Sequence, residues 1–182
     1  DRDLIFESSD FFGLNHYTTM YAADAAEGAA AGSVYGNGGL SEDQDVSLSV
    51  APDWALTDMQ WAIVPWGCRK LLEWIAARYG NPPVYITENG CAFDDQLENG
   101  RVHDVARTAF FEGYLSEIHQ AIQNGVNMRG YFIWSLLDNF EWASGYSKKF
   151  GITAIEPETL RRIPKDSALW YKTVILNNGL NL

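Results

Sequence analysis

Cysteine, basic side chains and long apolar runs are all scarce in this sequence. It has 182 residues, two Cys, and 13 Lys and Arg against 24 Asp and Glu. The formal net charge of -11 at pH 7 excludes a nucleic-acid partner, whose phosphates require a positive surface. It equally disfavours an anionic membrane. No stretch reaches the roughly 18 consecutive apolar residues of a membrane-spanning helix, so no membrane partner is expected. Cys68 and Cys91 show neither metal-type nor redox-type spacing. Two free thiols in a reducing compartment, the cytoplasm, are the expectation. No metal or other cofactor is expected. Aromatic residues, in contrast, are plentiful at 14%, with seven Trp and nine Tyr. That much ring surface needs burial or a ligand to stack on.

The chain opens "DRDLIFESSDFFG" without Met and almost directly into strand-like residues, so it is expected to be part of a longer protein. "FFGLNHY" (11–17) alternates as a strand, with Asn15 and Tyr17 on one face and Leu14 and His16 on the other. His16 is read as structural. Residues 22–45, rich in Ala, Gly and Ser, form a long loop at the surface. Residues 64–80 read as a helix with Pro65 in its first turn and Gly80 just past its end. Its apolar stripe is Leu71, Leu72, Ile75 and Tyr79.

"PPVYITENG" gives a second strand. Residues 100–125 form a helix capped by Asp104 and stopped at Gly125, with Phe111, Tyr114, Leu115, Ile118 and Ile122 toward the core. "MRGYFIW" opens a third strand, and "RIPKDSALWYKTVIL" (162–176) is a last helix capped by Asp166 or Ser167. Trp66, Trp74 and Trp170 fall on helices and are expected in the core. Three strand-helix units with right-handed crossovers predict a parallel sheet in chain order. Helices are expected to cover both of its faces.

In parallel α/β sheets, ligands sit at the carboxyl ends of strands. Three groups fall there: Asn15 and Tyr17, then Glu88, then the residues from Trp134 to Trp142. A lone carboxylate ending a buried strand is costly unless something uses it. Asn89-Gly90 then turns the chain away, and the expected reason is that no bulky side chain should enter the pocket.

The stretches "DFFGLNHYT", "VYITENG" and "GYFIWSLLDNFEWASGYSKKFGI" resemble the last three strand-end motifs of glycoside hydrolase family 1, the retaining β-glycosidases. The helix at "PWGCRKLLEWI" and the tail "RIPKDSALWYKTVI" are similar to that family too, so the resemblance covers nearly the whole chain. It implies the C-terminal part, strands 6–8 with their helices, of a (β/α)8 TIM barrel. Residues 1–182 would be a partial domain requiring the missing N-terminal strands as partner.

The resemblance makes Glu88 the nucleophile and Tyr17 the phenol that hydrogen-bonds it. Asn15 would contact the catalytic carboxylates or the sugar 2-hydroxyl. Trp134 would be the platform under the sugar ring, with a cis bond to Ser135. Glu141 would bind two outer hydroxyls and Trp142 would donate its indole N–H. Phe150 would close the pocket wall, and Trp61 would sit on the leaving-group side. Gln60, where the family often has Gly, and Ala62, where it often has Glu, depart from the pattern around Trp61. The implied activity is hydrolysis of β-glucosides and related β-glycosides or oligosaccharides such as cellobiose, through a glycosyl-enzyme intermediate.

Retaining hydrolysis needs two carboxylates about 5 to 5.5 Å apart. The family's acid/base motif, Thr-x-Asn-Glu-Pro, is not in this sequence. Glu7, Glu27, Glu42, Asp94 and Asp95 have no strand-end position, and Glu141 is assigned to sugar hydroxyls. The chain alone is therefore expected to be inactive. The alternatives are a 6-phospho-β-glycosidase, against which Glu141-Trp142 argues, a thioglucosidase, and a sugar-binding pseudoenzyme.

Overall fold

Chain punctuation sets the ends of the first helix. In the computed structural model, which describes residues 8–24 and 46–180, α1 runs Pro65–Tyr79, and Gly80 leaves it at φ 72° with its N–H on the Ala76 carbonyl. Upstream lie β1 (Phe12–Asn15), β2 (Tyr21–Asp24) and β3 (Val46–Ser49). After α1 come β4 (Val84–Asn89), α2 (Val105–Gln123) and β5 (Met128–Ile133). A 3-10 turn at Trp142–Ser144 follows, then β6 (Thr153–Ile155), β7 (Arg162–Pro164) and α3 (Asp166–Asn177). Strands β1, β4 and β5 form the expected parallel sheet, adjacent and in chain order.

Alternation divides the sheet. Leu14, Val84 and Ile86 are buried against Cys68, Leu72 and Ile75 of α1 and Phe110, Phe111, Tyr114 and Ile118 of α2. Asn15, Thr87 and Phe132 are exposed. Helices were expected on both faces of the sheet. Among the described residues they pack on one face only, and the second carries the polar strand-end groups.

Several expectations need correction. The first residues of the expected 22–45 loop are strand instead: Tyr21–Asp24 pairs antiparallel with Val46–Ser49. Residues 25–45, with Glu27 and Glu42, lie outside the described residues, as does Glu7. Tyr79 is exposed, although it stacks on Phe12 with ring centroids 5.9 Å apart. Ile122 is exposed too, while Phe110 and Ala121 take buried positions on α2. Trp66 and Trp74, expected in the core, are exposed, and only Trp170 packs partly against it. Trp74 lies two residues past buried Leu72, about 200° round the helix, so it points away from the sheet.

The last helix excludes residues 162–164 of the expected span, and its N-cap position is Lys165, one or two residues before the expected Asp166 or Ser167. Pro164 disfavours helix at the residue before it, and Arg162–Pro164 pairs with Thr153–Ile155 instead. Asp104 holds the N-cap position of α2 as expected, but its side chain makes no capping bond there. Its Oδ1 accepts from the Ser167 N–H at 2.8 Å, so it caps α3, from a residue 63 positions earlier.

His16 faces the helices, as its alternation implies. It is buried, its ring centroid lies 5.8 Å from that of Tyr114, and Nε2 is 3.3 Å from Thr19 Oγ1. Burial pulls its pKa from 6.5 down to about 4. As pH falls, the unfolded chain takes up this proton first. The stability His16 contributes is thus complete above about pH 6.5 and lost on the way down to about pH 4. At ~1.36 kcal/mol per unit, the loss reaches ~3 kcal/mol. Denaturant midpoints at pH 7.5 and 4.5 should therefore differ more for the native sequence than for His16→Leu.

Candidate active site

The site is built around an irregularity in β4. Leu14 pairs with Ile86, but the next residue, Asn15, pairs with Glu88. Thr87 is the extra residue of a bulge, which re-aims the side chains that follow it. Consecutive residues of a regular strand point to opposite faces. Here Thr87 and Glu88 both reach polar groups on the same face of β1. Thr87 Oγ1 donates to Asn15 Oδ1 at 2.6 Å, and the Tyr17 hydroxyl donates to Glu88 Oε2 at 2.6 Å.

Asn89 turns the other way, is fully buried, and ties three strand ends together. Its Nδ2 donates to the His16 carbonyl at 2.8 Å, and its Oδ1 accepts from the Tyr131 hydroxyl at 2.6 Å. Its backbone carbonyl accepts from Trp134 N–H at 2.8 Å, while His16 N–H donates to the Glu88 carbonyl at 2.9 Å. The backbone on both sides of the Glu88 side chain is therefore fixed.

Gly90 is required for a different reason from the one expected. A Cβ there would run into the carbonyl oxygen of Trp134. The neighbouring strand end, rather than the pocket, demands the missing side chain. The Trp134-Ser135 bond is cis, as the resemblance implied.

From Ser135 the chain loops out and returns at Phe150, whose carbonyl accepts from Ser135 N–H at 3.1 Å. Glu141 and Trp142 lie within this loop. Trp142 is 82% exposed and Glu141 is half-buried. Tyr17, Trp61 and Phe150 form a ring triangle with centroids 5.5, 5.9 and 6.2 Å apart. Phe150 is only 2% exposed, so it backs Tyr17 and Trp61 from within. Gln60 beside Trp61 has φ 61°, in the left-handed region that favours glycine.

Electrostatics ties the acidic groups together. Burial, and then the negative charge of Glu88, raise the Glu141 carboxyl above its ordinary pKa. The Tyr17 phenol is pushed well up, first by burial, then by its hydrogen bond to Glu88 and the charges of Glu88 and Glu141. Tyr17 thus stays a hydrogen-bond donor at neutral pH. Both cysteines are free and buried, and burial raises the Cys68 thiol to about 12. Among the described residues, no group of three or more His, Cys, Asp or Glu is placed to hold a metal ion.

The structure gathers Asn15, Tyr17, Trp61, Glu88 and Phe150 by contact, Trp134 through its bond to Asn89, and Glu141 through its electrostatic coupling to Glu88. Trp142 projects outward. Sequence reasoning missed Thr87, Asn89 and Tyr131 as polar partners. It also missed a buried charge cluster. Arg107 lies 2.7 Å from both Asp95 and Asp104, and Lys165 lies 2.5 Å from Asp95 and 2.9 Å from Asp138. The one sequence signal was the i, i+3 pair Asp104 and Arg107. Asp95, which lacks a strand-end position, is occupied in this cluster.

With this geometry in hand, likeness to known proteins becomes informative. The model of glycosyl hydrolase family 1 matches residues 1–180. Beta-glucosidase A of Thermotoga maritima is 44% identical over 182 residues, which cover 99% of this chain and 37% of that protein. The 1,4-beta-D-glucan glucohydrolase of Thermotoga neapolitana is 43% identical, with coverage of 99% and 37%. A solved family 1 b-glucosidase from Thermotoga maritima in complex with isofagomine lactam superposes with a TM-score of 0.85 at 44% identity, covering 99% of this chain and 37% of that one. The chain thus spans little more than a third of the length of these relatives.

Replacing Gly90 with Ala tests the packing at the strand ends. The added methyl must displace the Trp134 carbonyl and its bond to Asn89, at a cost of ~1 to 3 kcal/mol or more. A lowered denaturant midpoint, with altered Trp fluorescence, is the expected outcome.

Proposed function

The chain belongs to glycosyl hydrolase family 1, and we propose that it forms strands six to eight of a (β/α)8 barrel and carries the nucleophile of a retaining exo-β-glucosidase. The observation that carries this reading is the 2.6 Å hydrogen bond from Tyr17 to Glu88 at the carboxyl ends of parallel strands, with Glu141 coupled to the same carboxylate. The printed names of the relatives, beta-glucosidase and 1,4-beta-D-glucan glucohydrolase, support β-glucosides, including cellobiose-type oligosaccharides, as substrate. The remaining strands of the barrel, on the same or a separate chain, supply the acid/base carboxyl and the other walls.

In this mechanism Glu88 attacks the anomeric carbon as the glycosidic C–O bond breaks. The leaving oxygen takes a proton from the acid/base group. The product is an ester between sugar and Glu88. Water then attacks the same carbon, gives its proton to the acid/base group, and frees Glu88. Two displacements at one carbon retain configuration.

Tyr17 holds Glu88 by the oxygen that is not attacking, and the bulge fixes the direction of approach. Trp134 offers an indole face to the sugar's axial hydrogens. Glu141 and Trp142 bind its outer hydroxyls, and Asn15 lies near the 2-hydroxyl. Trp61 contacts the leaving group, and Phe150 holds Tyr17 and Trp61 in place. Loss of the general acid alone costs ~10² to 10⁴ in rate, so the isolated chain has negligible activity in this reading.

In the full-length protein, Glu88→Gln should keep the fold and sugar affinity and lose turnover. The amide is nearly isosteric but cannot form the ester. Azide or formate added to Glu88→Ala, with an activated aryl glucoside, should restore slow cleavage with inverted product, because the small anion attacks from the vacated position. Unchanged turnover in Glu88→Gln, or rescue with retained configuration, excludes Glu88 as nucleophile.

Tyr17→Phe should keep the fold, since the ring contacts with Trp61 and Phe150 survive. A hydrogen bond to a charged group is worth ~1.5 to 3 kcal/mol. Steady-state kcat/KM should accordingly fall ~10- to 100-fold. A fall below threefold shows that the phenol does not matter to the transition state.

A further inference from the structure

Resting on the reading above, we propose that Lys165 is a positioning residue for the sugar-recognition loop, acting through Asp138. Lys165 lies just ahead of α3, and its side chain is completely buried. Nζ donates to Asp95 Oδ2 at 2.5 Å and to Asp138 Oδ1 at 2.9 Å. The same Asp138 Oδ1 accepts from Gly151 N–H at 2.8 Å, and Asp138 N–H donates to the Thr153 carbonyl at 3.0 Å. A Cβ on Gly151 would strike the Asp138 backbone. Asp138 and Gly151 therefore form a tight neck.

Glu141 and Trp142 lie in the loop between them. Below the neck, Ser135 exchanges backbone bonds with Phe150 and Ile152. At the far side, Lys148 Nζ binds Asp58 Oδ2 at 2.9 Å, three residues before Trp61. Arg107 holds the Lys149 carbonyl at 2.6 Å. Lys165 thus sets a buried cation against the neck, and that cation is anchored to the segment after β4 by Asp95. Lys165 touches no part of the opening around Glu88. Its side chain bears on the loop directly through Asp138, and less directly through Asp95, whose carbonyl accepts from Lys149 Nζ at 2.6 Å.

A double-mutant cycle in the full-length protein separates positioning from general support. Lys165→Met removes the ammonium and keeps most of the side-chain length. With Glu141 present, it should raise KM for an aryl β-glucoside about 10-fold or more, with kcat within about threefold. In a Glu141→Ala background the same change should cost less than about threefold, because the group being positioned is gone. The ratio of the two effects, about threefold or more, is a coupling of ~0.7 kcal/mol or more, within the range typical of connected residues. Asp138→Asn, which keeps an acceptor for Gly151 N–H, provides a second cycle if Lys165→Met does not fold.

Hydrogen exchange supplies a readout independent of turnover. Residues 139–148 should exchange faster in Lys165→Met, while β1 and β4 keep their protection. Equal losses in both backgrounds, or exchange that rises throughout the sheet, overturn the positioning role. If the native protein shows no glycosidase activity, the reading of its function fails, and the exchange comparison still decides whether Lys165 holds the loop.

Discussion

Three parallel strands end at one level because a single buried amide holds them there. Asn89 donates to the His16 carbonyl after β1, accepts from Tyr131 on β5, and takes the Trp134 N–H on its own carbonyl. A buried amide left without partners is costly, and this one is paired on both sides. Its neighbours on the chain inherit the constraint. Glu88 cannot slide along β4, and Gly90 must stay bare to pass the Trp134 carbonyl. The position of the Glu88 carboxylate thus follows from backbone and amide bonds of its neighbours.

The bulge at Thr87 complements this constraint. In a regular strand, Thr87 and Glu88 would face opposite sides of the sheet. The extra residue lets both reach the polar face, with Asn15 and Tyr17 as partners. Burying Tyr17 beside two carboxylates keeps its proton on, so the bond to Glu88 has a fixed donor. The aromatic wall of Trp61 and Phe150 then holds the phenol where the carboxylate needs it.

On the helix side of these strand ends, the buried charges do a second job. Arg107 and Lys165 sit among Asp95, Asp104 and Asp138, and join α2, α3 and the segments that follow β4 and β5. Such a cluster is weak evidence for stability, since desolvation offsets most of the attraction. What it fixes is relative position: removing one member leaves an unpaired buried charge, so alternative arrangements of the loop and helix are disfavoured.

The order of strands and helices was legible in the sequence because both periodicities are strong and are bounded by Pro65, Gly80 and Gly125. Parallel pairing followed from the alternation of strands and helices, and the cluster at the strand ends followed from Asn15, Tyr17, Glu88 and Trp134 each falling where a strand stops. The sequence could not show the bulge at Thr87, because a one-residue register shift leaves the pattern of residue types unchanged. It carried no sign of the partners of Lys165, and of Asp104 it showed only the i, i+3 spacing to Arg107. A cap read locally belongs to the next residues in the chain, but Asp104 caps a helix 63 positions away. Trp66 and Trp74 were placed in the core on residue type, and the helix phase turned them outward. Local chemistry was written in the sequence through side-chain type and spacing. The tertiary structure alone decided which distant groups face one another, because those contacts depend on the packing of whole elements.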